Sequence, residues 1–359
     1  MRIRVLLLAA GLVISANIVG AAPIPLTVGQ GPGFNFSTLH DAINSEMSGN
    51  SYLITMAPGT YQNDFSVVFQ PTDIEATPGT VTLSATIPND QGIIETFAPL
   101  TVNGLTISGA VTSPGGGDNA AAIRDHQTGG SLNVVNSVLE NSQNGLLTED
   151  PSRQEQVTVT NSQFFNDGAG NGLTHALYVG DALSLDVENS LFCGTNNGHD
   201  VKSRAATTTV ANSTMFIGAT GSGCALAGTT GAGVDAPNGG VLDLVGDSLI
   251  QGTNNSNGNL VLYGEEGLIA GVTNALTVTN TTFDGVPGST GISEPASCPA
   301  PVQNTGSVFN GVTTPVSPPT CIAGAGPVPA AEPRTLGILA IPLALLAFLR
   351  WRKSASVQA

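Results

Sequence analysis

The segment GHDVKSRA (198–205) gathers three of the chain's few basic groups, His199, Lys202 and Arg204. Alternate residues of an extended strand face opposite sides, so Val201, Ser203 and Ala205 share one face and Asp200, Lys202 and Arg204 the other. The small and apolar set belongs inward, which turns the charged set to solvent. HALYVG (175–180) puts Leu177 and Val179 inward and Tyr178 outward beside Lys202, with His175 opening the strand as His199 opens the next. GVDAPNGG (233–240) supplies Asp235 or Asn238 on the far side, NLVLYGEEG (259–267) supplies Tyr263, Glu265 and Glu266, and AAIRDH (121–126) adds Arg124 and His126.

Cations, aromatics and carboxylates in one column suit two reactions. Eliminative cleavage of a uronic-acid polymer needs a cation for the carboxylate, a base for the α-proton and a donor for the leaving oxygen. Arg204 is the candidate cation, Lys202 the base, and Tyr178 or His199 the donor. Arg124, His175, Asp235, Asn238, Tyr263 and Glu265 are then candidate substrate-binding groups. Lysine serves as a base only well below its ordinary value of about 10.4; Arg204 pushes it down and Asp200 pushes it up. The second route is hydrolysis by paired carboxylates, with Asp235 and Glu265 as the pair. Against both stands a plain solvated ion ladder that keeps a sheet face soluble. The one tryptophan, Trp351, lies in the tail, so the body of the chain has no indole platform for sugar.

These residues need elements to hold them, and the elements repeat. LNVVNS (132–137), VTVTNS (157–162), LDVENS (185–190), TTVANS (208–213), DLVGDS (243–248) and LTVTNT (276–281) are one phrase with elastic spacing. Each copy is a strand, a turn residue and a second strand, too little to bury a core alone, so the copies must stack as coils whose loops vary. Asn136, Asn161, Asn189, Asn212, Asp247 and Asn280 are the expected left-handed turn residues, because a short amide or carboxylate tolerates that region and bonds nearby backbone.

The phrase resembles the LxVxNSxF pattern of the pectate-lyase-like and pectin-methylesterase-like proteins over roughly residues 26–285. That resemblance implies an all-β, single-stranded right-handed parallel β-helix with an N-terminal capping helix. LTVGQGPGFNFSTLHDAI (26–43) and ITMAPGTY (54–61) look like its opening, with Ser37 as helix N-cap and His40, Asp41 and Ala42 following. It also implies that the sheet carrying the column floors a polysaccharide groove.

Both ends read as addresses. Arg2, Arg4, the apolar VLLLAAGLVI (5–14) and Val19-Gly20-Ala21 form a signal-peptide pattern cut by signal peptidase, with the mature start near Ala22. Glu332-Pro333, an apolar stretch over 336–349 and the basic Arg350, Arg352 and Lys353 resemble the PEP-CTERM sorting signal, with Ala331 in place of its first proline. The resemblance implies transient anchoring in the inner membrane of a Gram-negative bacterium and processing by an exosortase-type enzyme. Export leads to the cell surface or extracellular matrix.

Between the addresses, residues 22–330 carry 25 acidic groups against only Arg124, Arg153, Lys202 and Arg204, hence a formal net charge of −21. Such a polyanion is no nonspecific nucleic-acid binder. No cofactor or metal motif occurs; calcium is open in an acidic chain, but no EF-hand or calcium-repeat spacing supports it. An even count of cysteines in an exported chain favours disulfides. Four cysteines allow three pairings, and proximity suggests Cys193–Cys224 and Cys298–Cys321. The expected divisions are 1–21 signal peptide, 22–95 cap and first coils, 96–285 β-helix coils, 286–330 a Pro/Ser/Thr/Gly-rich stalk, and 331–359 the sorting segment. The resulting expectation is a surface or matrix β-helix that binds or structures extracellular polysaccharide; the alternatives are a lyase or hydrolase of uronic-acid polymers, and a purely structural or adhesive protein.

Overall fold

The computed structural model describes residues 21–87, 91–113, 117–149 and 152–323. The signal-peptide reading of the first twenty residues and the sorting motif at Glu332 and Pro333, with its basic tail, lie outside the described residues. No helix among the described residues is long and apolar enough to cross a membrane.

The strands form three all-parallel sheets of 11, 10 and 10 members. Each coil gives one strand to each sheet and then climbs to the next coil, the connection that right-handed crossovers favour. The molecule is therefore a right-handed parallel β-helix. The repeated phrase supplies the first sheet. Its two apolar positions stack as inward columns, Leu132, Val157, Leu185, Thr208, Leu242 and Leu276 in one, and Val134, Val159, Val187, Val210, Leu244 and Val278 in the other. All twelve are buried.

Asn136, Asn161, Asn189, Asn212 and Asn280 turn the chain at φ between 50° and 52°. Asp247 does not. Val245 pairs with Thr279, so Gly246, at φ 71°, stands beside Asn280 and Asp247 falls into the next column. That next column ties the coils together. The amides of Ser137, Ser162 and Ser190 donate to the Oγ of Ser162, Ser190 and Ser213 at 3.1–3.2 Å, and Ser213 donates to Asp247 Oδ1 at 2.8 Å. A side-chain oxygen of the next coil thus meets each of these backbone donors that the tight turn leaves without a strand partner.

The N-terminal opening is closed by the helix Leu39–Asn44, which buries Leu39, Ala42 and Ile43. Its N-cap is Thr38 rather than Ser37: Thr38 Oγ1 accepts from the Asp41 amide at 3.1 Å. Asp64 adds both carboxylate oxygens to the amides of Leu39 and His40, at 2.7 and 2.8 Å, where the helix N-terminus favours an anion.

The expected stalk after residue 285 is coil instead. Thr290–Ser293, Gln303–Thr305, Val308–Asn310 and Thr314–Ser317 extend all three sheets. Its prolines sit mostly in the connections, where a missing N–H costs no ladder bond. Cys193–Cys224 and Cys298–Cys321 are both bonded, the second clasping the last coil.

Candidate functional site

The second sheet carries the chemistry. Its strands Ala121–Asp125, Asn144–Thr148, Leu177–Val179, His199–Ser203, Ala232–Ala236 and Asn259–Tyr263 lie side by side in that order. Pairing puts Arg124 beside Leu147, Leu147 beside Tyr178, Tyr178 beside Lys202, Lys202 beside Asp235, and Asp235 beside Leu262. The outward column expected from the sequence exists, with Leu262 where Tyr263 was expected.

Tyr263 faces the core. It is fully buried, and its hydroxyl donates to the Gly240 carbonyl at 2.5 Å. Asp200 also departs from the expected outward face. It is fully buried and lies level with Gly233, where an added Cβ would meet Ile217 and Met215 in the core. The cause is shared. In this sheet two consecutive residues turn inward, Leu260 with Val261 and Ala176 with Leu177, so strict alternation fails by one position.

Around Lys202 the groups close into a network. Its Nζ lies 3.3 Å from Asp235 Oδ2 and 3.2 Å from Glu266 Oε1. Each nitrogen of Arg204 is engaged: Nε donates to Tyr178 Oη at 2.9 Å, Nη1 to Asn238 Oδ1, and Nη2 to Glu266 Oε2 at 2.6 Å. The glutamate that joins Asp235 in the network is thus Glu266. Glu265, the residue expected from the sequence, is turned to Ser293, whose Oγ lies 3.2 Å from it. Gly264 and Gly267, at φ 72° and 93°, fold the loop so that Glu266 returns over the sheet.

The histidines flank this network. His199 Nε2 lies 3.3 Å from Asp235 Oδ2, and the His199 amide donates to His175 Nδ1 at 3.0 Å. The two rings stack at 5.2 Å, and Tyr178 stacks on His175 at 5.7 Å. Those partners place the His175 proton on Nε2 and make Nε2 the donor of His199. Burial, helped by Lys202, pushes His199 down to about 4; burial, His199, Lys202 and Arg204 hold His175 well below its ordinary value. Both rings are neutral at pH 7. Burial raises Asp235 to about 6 against the pull of Lys202. Partial burial opposes ionisation of Glu266, but hydrogen bonds from Arg204 and Lys202 outweigh it and keep Glu266 below the usual carboxylate range.

Arg124 shares the column but not the network. It pairs with Glu149 and donates to the Asn119 carbonyl at 2.9 Å, while His126 lies 3.2 Å from Glu149 and 3.9 Å from Glu95. His126 also ends a ring ladder that residue counting missed. Phe69 and Phe97 stack at 5.2 Å, and Phe97 and His126 at 4.8 Å. The two phenylalanines are 62% and 47% exposed, an aromatic edge in a body that has no indole platform. The signal was present in the sequence: Phe69, Phe97 and His126 each stand one residue past the paired positions Val68, Thr96 and Asp125. Glu149 and Arg204 continue that line, each bonding back to the coil before it.

Fold and site together define a parallel β-helix with an ionisable strip along the outer face of one sheet. Among solved structures the chain is similar to the pectin methylesterase of Aspergillus niger, at 14% identity and a TM-score of 0.47, over 88% of this chain and 93% of that one. It is also similar to pectin methylesterase PemA of Erwinia chrysanthemi, at 10% identity and a TM-score of 0.41, over 82% and 92% of the two chains. No family model and no curated protein matches the sequence.

Proposed function

We propose that this protein is exported and binds a polysaccharide chain laid along the outer face of its second sheet. One observation carries the reading: two neighbouring in-register columns on that face, one running from the Phe69–Phe97–His126 ladder to Arg204, the other holding Tyr178, Lys202 and Asp235. Hydroxyl-rich polymers are held by such mixtures of aromatic edge, fixed donors and acceptors. Elimination is the weaker chemistry here. Every nitrogen of Arg204 already donates within the network, and Lys202 stands between two carboxylates instead of as an open base.

Affinity electrophoresis of the purified protein through gels containing neutral and uronic-acid polysaccharides tests the proposal. We expect retardation by at least one polymer, weakened roughly tenfold in a Tyr178→Phe/Asp235→Asn variant that melts like the parent. Unretarded migration in every gel rejects it. A second reading is favoured by Asp235 and Glu266, whose surroundings drive them in opposite directions, the pattern of an acid and a base. New reducing ends released by the parent and lost in Asp235→Asn would add hydrolysis to binding.

Export and surface sorting rest on the sequence of the two ends, and the two bonded disulfides suit an oxidising compartment. Mass spectrometry of the protein recovered from its own cells should show a chain lacking both the leader and the basic tail. A retained Arg350–Lys353 cluster in the mature protein removes the sorting claim.

A further inference from the structure

The strongest charges of the strip are already spent on one another. Lys202 and Arg204 are two of the four cations between residues 22 and 330, and both end on the same carboxylate, Glu266. Glu266 is the most solvent-open member of that trio, its side chain 47% exposed against 13% for Lys202 and 26% for Arg204. Seen from solvent, a carboxylate lies over two cations in the place where a ligand's carboxylate would dock.

The loop holds it there. The Glu266 amide donates to the Pro237 carbonyl at 2.9 Å and the Ile269 amide to the Asn238 carbonyl at 3.2 Å. Asn238 works from both ends, its Nδ2 donating to the Gly267 carbonyl at 2.8 Å while its Oδ1 accepts from Arg204. A lone flexible side chain would yield to a competing anion. This one is fixed by its backbone, and a ligand carboxylate would have to displace it against the field of Asp235, Glu265 and the net −21 of the body.

We infer that Glu266 is a specificity residue: it fills the anion seat of Lys202 and Arg204 from within and so restricts the strip to uncharged polysaccharide. The inference rests on the binding reading above but concerns which polymer is admitted. Rejection of this kind works by leaving the wrong ligand's charge unpaired and facing like charge. Neutral sugar hydroxyls still find Tyr178, Asn238 and the outer lone pairs of Glu266, so the same carboxylate that excludes uronate accepts from a hydroxyl.

The test compares parent, Glu266→Gln, Glu266→Ala and Glu266→Ala/Arg204→Gln, all checked for unchanged melting, against neutral glucan and galactan and against polygalacturonate and alginate. The parent should bind a neutral polymer and ignore both uronates. Glu266→Ala should gain roughly tenfold or more in uronate affinity, lose that gain at about 0.5 M salt, and lose it again when Arg204 is removed. Glu266→Gln should gain less, because its amide still occupies the seat. A parent that binds polygalacturonate as well as Glu266→Ala does overturns the inference, as does a folded Glu266→Ala with no gain. If the parent binds nothing while Glu266→Ala gains uronate binding, the seat is real and the polysaccharide reading fails. If the parent binds neutral polymer and Glu266→Ala changes nothing, the reverse holds.

Discussion

The melting temperature of this protein should fall by on the order of 10 °C between pH 6 and pH 8.5, and the advantage of Asp200→Asn over the parent should grow by about 5 °C across the same range. Asp200 is fully buried. Its Oδ1 accepts from Thr195 Oγ1 at 2.6 Å, and its Oδ2 has no hydrogen-bond partner among the described residues. Burial raises it to about 8, with the Thr195 bond opposing. An acid raised on folding contributes its full stability below its unfolded value and loses it as pH climbs through the folded one. Between pH 6 and 8 that loss is on the order of 3 kcal/mol for Asp200. Asp247, raised by burial to about 7, and Asp167, raised by burial well above its ordinary value, act in the same direction. His175 and His199 act in the other: bases lowered on folding lose stability as pH falls through 6.5 towards about 4. The two sets oppose each other below pH 6.5, and above it only the acids act, so the loss is steepest on the alkaline side. Asparagine copies the shape of the protonated acid and cannot ionise, so its benefit must grow from pH 6 to pH 8.5 and vanish only near pH 4, at the acid's unfolded value. A flat profile from pH 6 to 8.5, or equal stabilisation at both pH values, contradicts this account.

Phe192→Ala should cost about 3–5 kcal/mol, and the loss should be felt first in the middle of the tube. Phe192 is fully buried and stacks on Phe164 of the preceding coil at 4.7 Å, with Met215 in register on the other side. Removing the ring leaves a cavity that two stacked coils cannot close, because their spacing is fixed by the parallel ladders. A solenoid couples each coil only to its neighbours, so damage stays local before it becomes global. Hydrogen exchange should therefore quicken in Gln163–Phe165, Leu191–Cys193 and Thr214–Ile217 while Tyr52–Met56 and Ala275–Thr279 stay protected. Uniform acceleration along the chain, or a loss under about 1 kcal/mol, would mean that this layer does not carry the load described.

The architecture was legible because a parallel coil writes the same requirement into every turn: apolar residues two apart, a residue that accepts positive φ, and a hydroxyl after it. Asn136 to Asn280 show it directly. Asp247 misled because the letters DS resemble NS, whereas the backbone needed Gly246 at the bend. The site was legible in part. Tyr178, Lys202 and Asp235 fell into register because their strands pair without slippage. Tyr263 and Asp200 did not, since two successive inward residues break the alternation on which counting relies. Glu266 was separated from Glu265 only by the path of a loop bent at Gly264 and Gly267, which no periodicity encodes. The 286–330 segment reads as linker from its prolines, yet four short strands between Thr290 and Ser317 add the final coils.

The stacking itself makes the protein a measuring stick. Coils repeat at about 4.8 Å, and every outward side chain of the strip inherits that interval, as the ring separations of 5.2 and 4.8 Å along Phe69, Phe97 and His126 record. Loops change length freely from coil to coil without altering the graduations. A polymer whose monomer advances by nearly one graduation meets equivalent positions again and again, while one with a different advance falls out of phase within a few monomers. For the polysaccharide binding proposed above, discrimination by monomer advance, in steps of a single coil, would follow from the tube before any particular side chain is chosen.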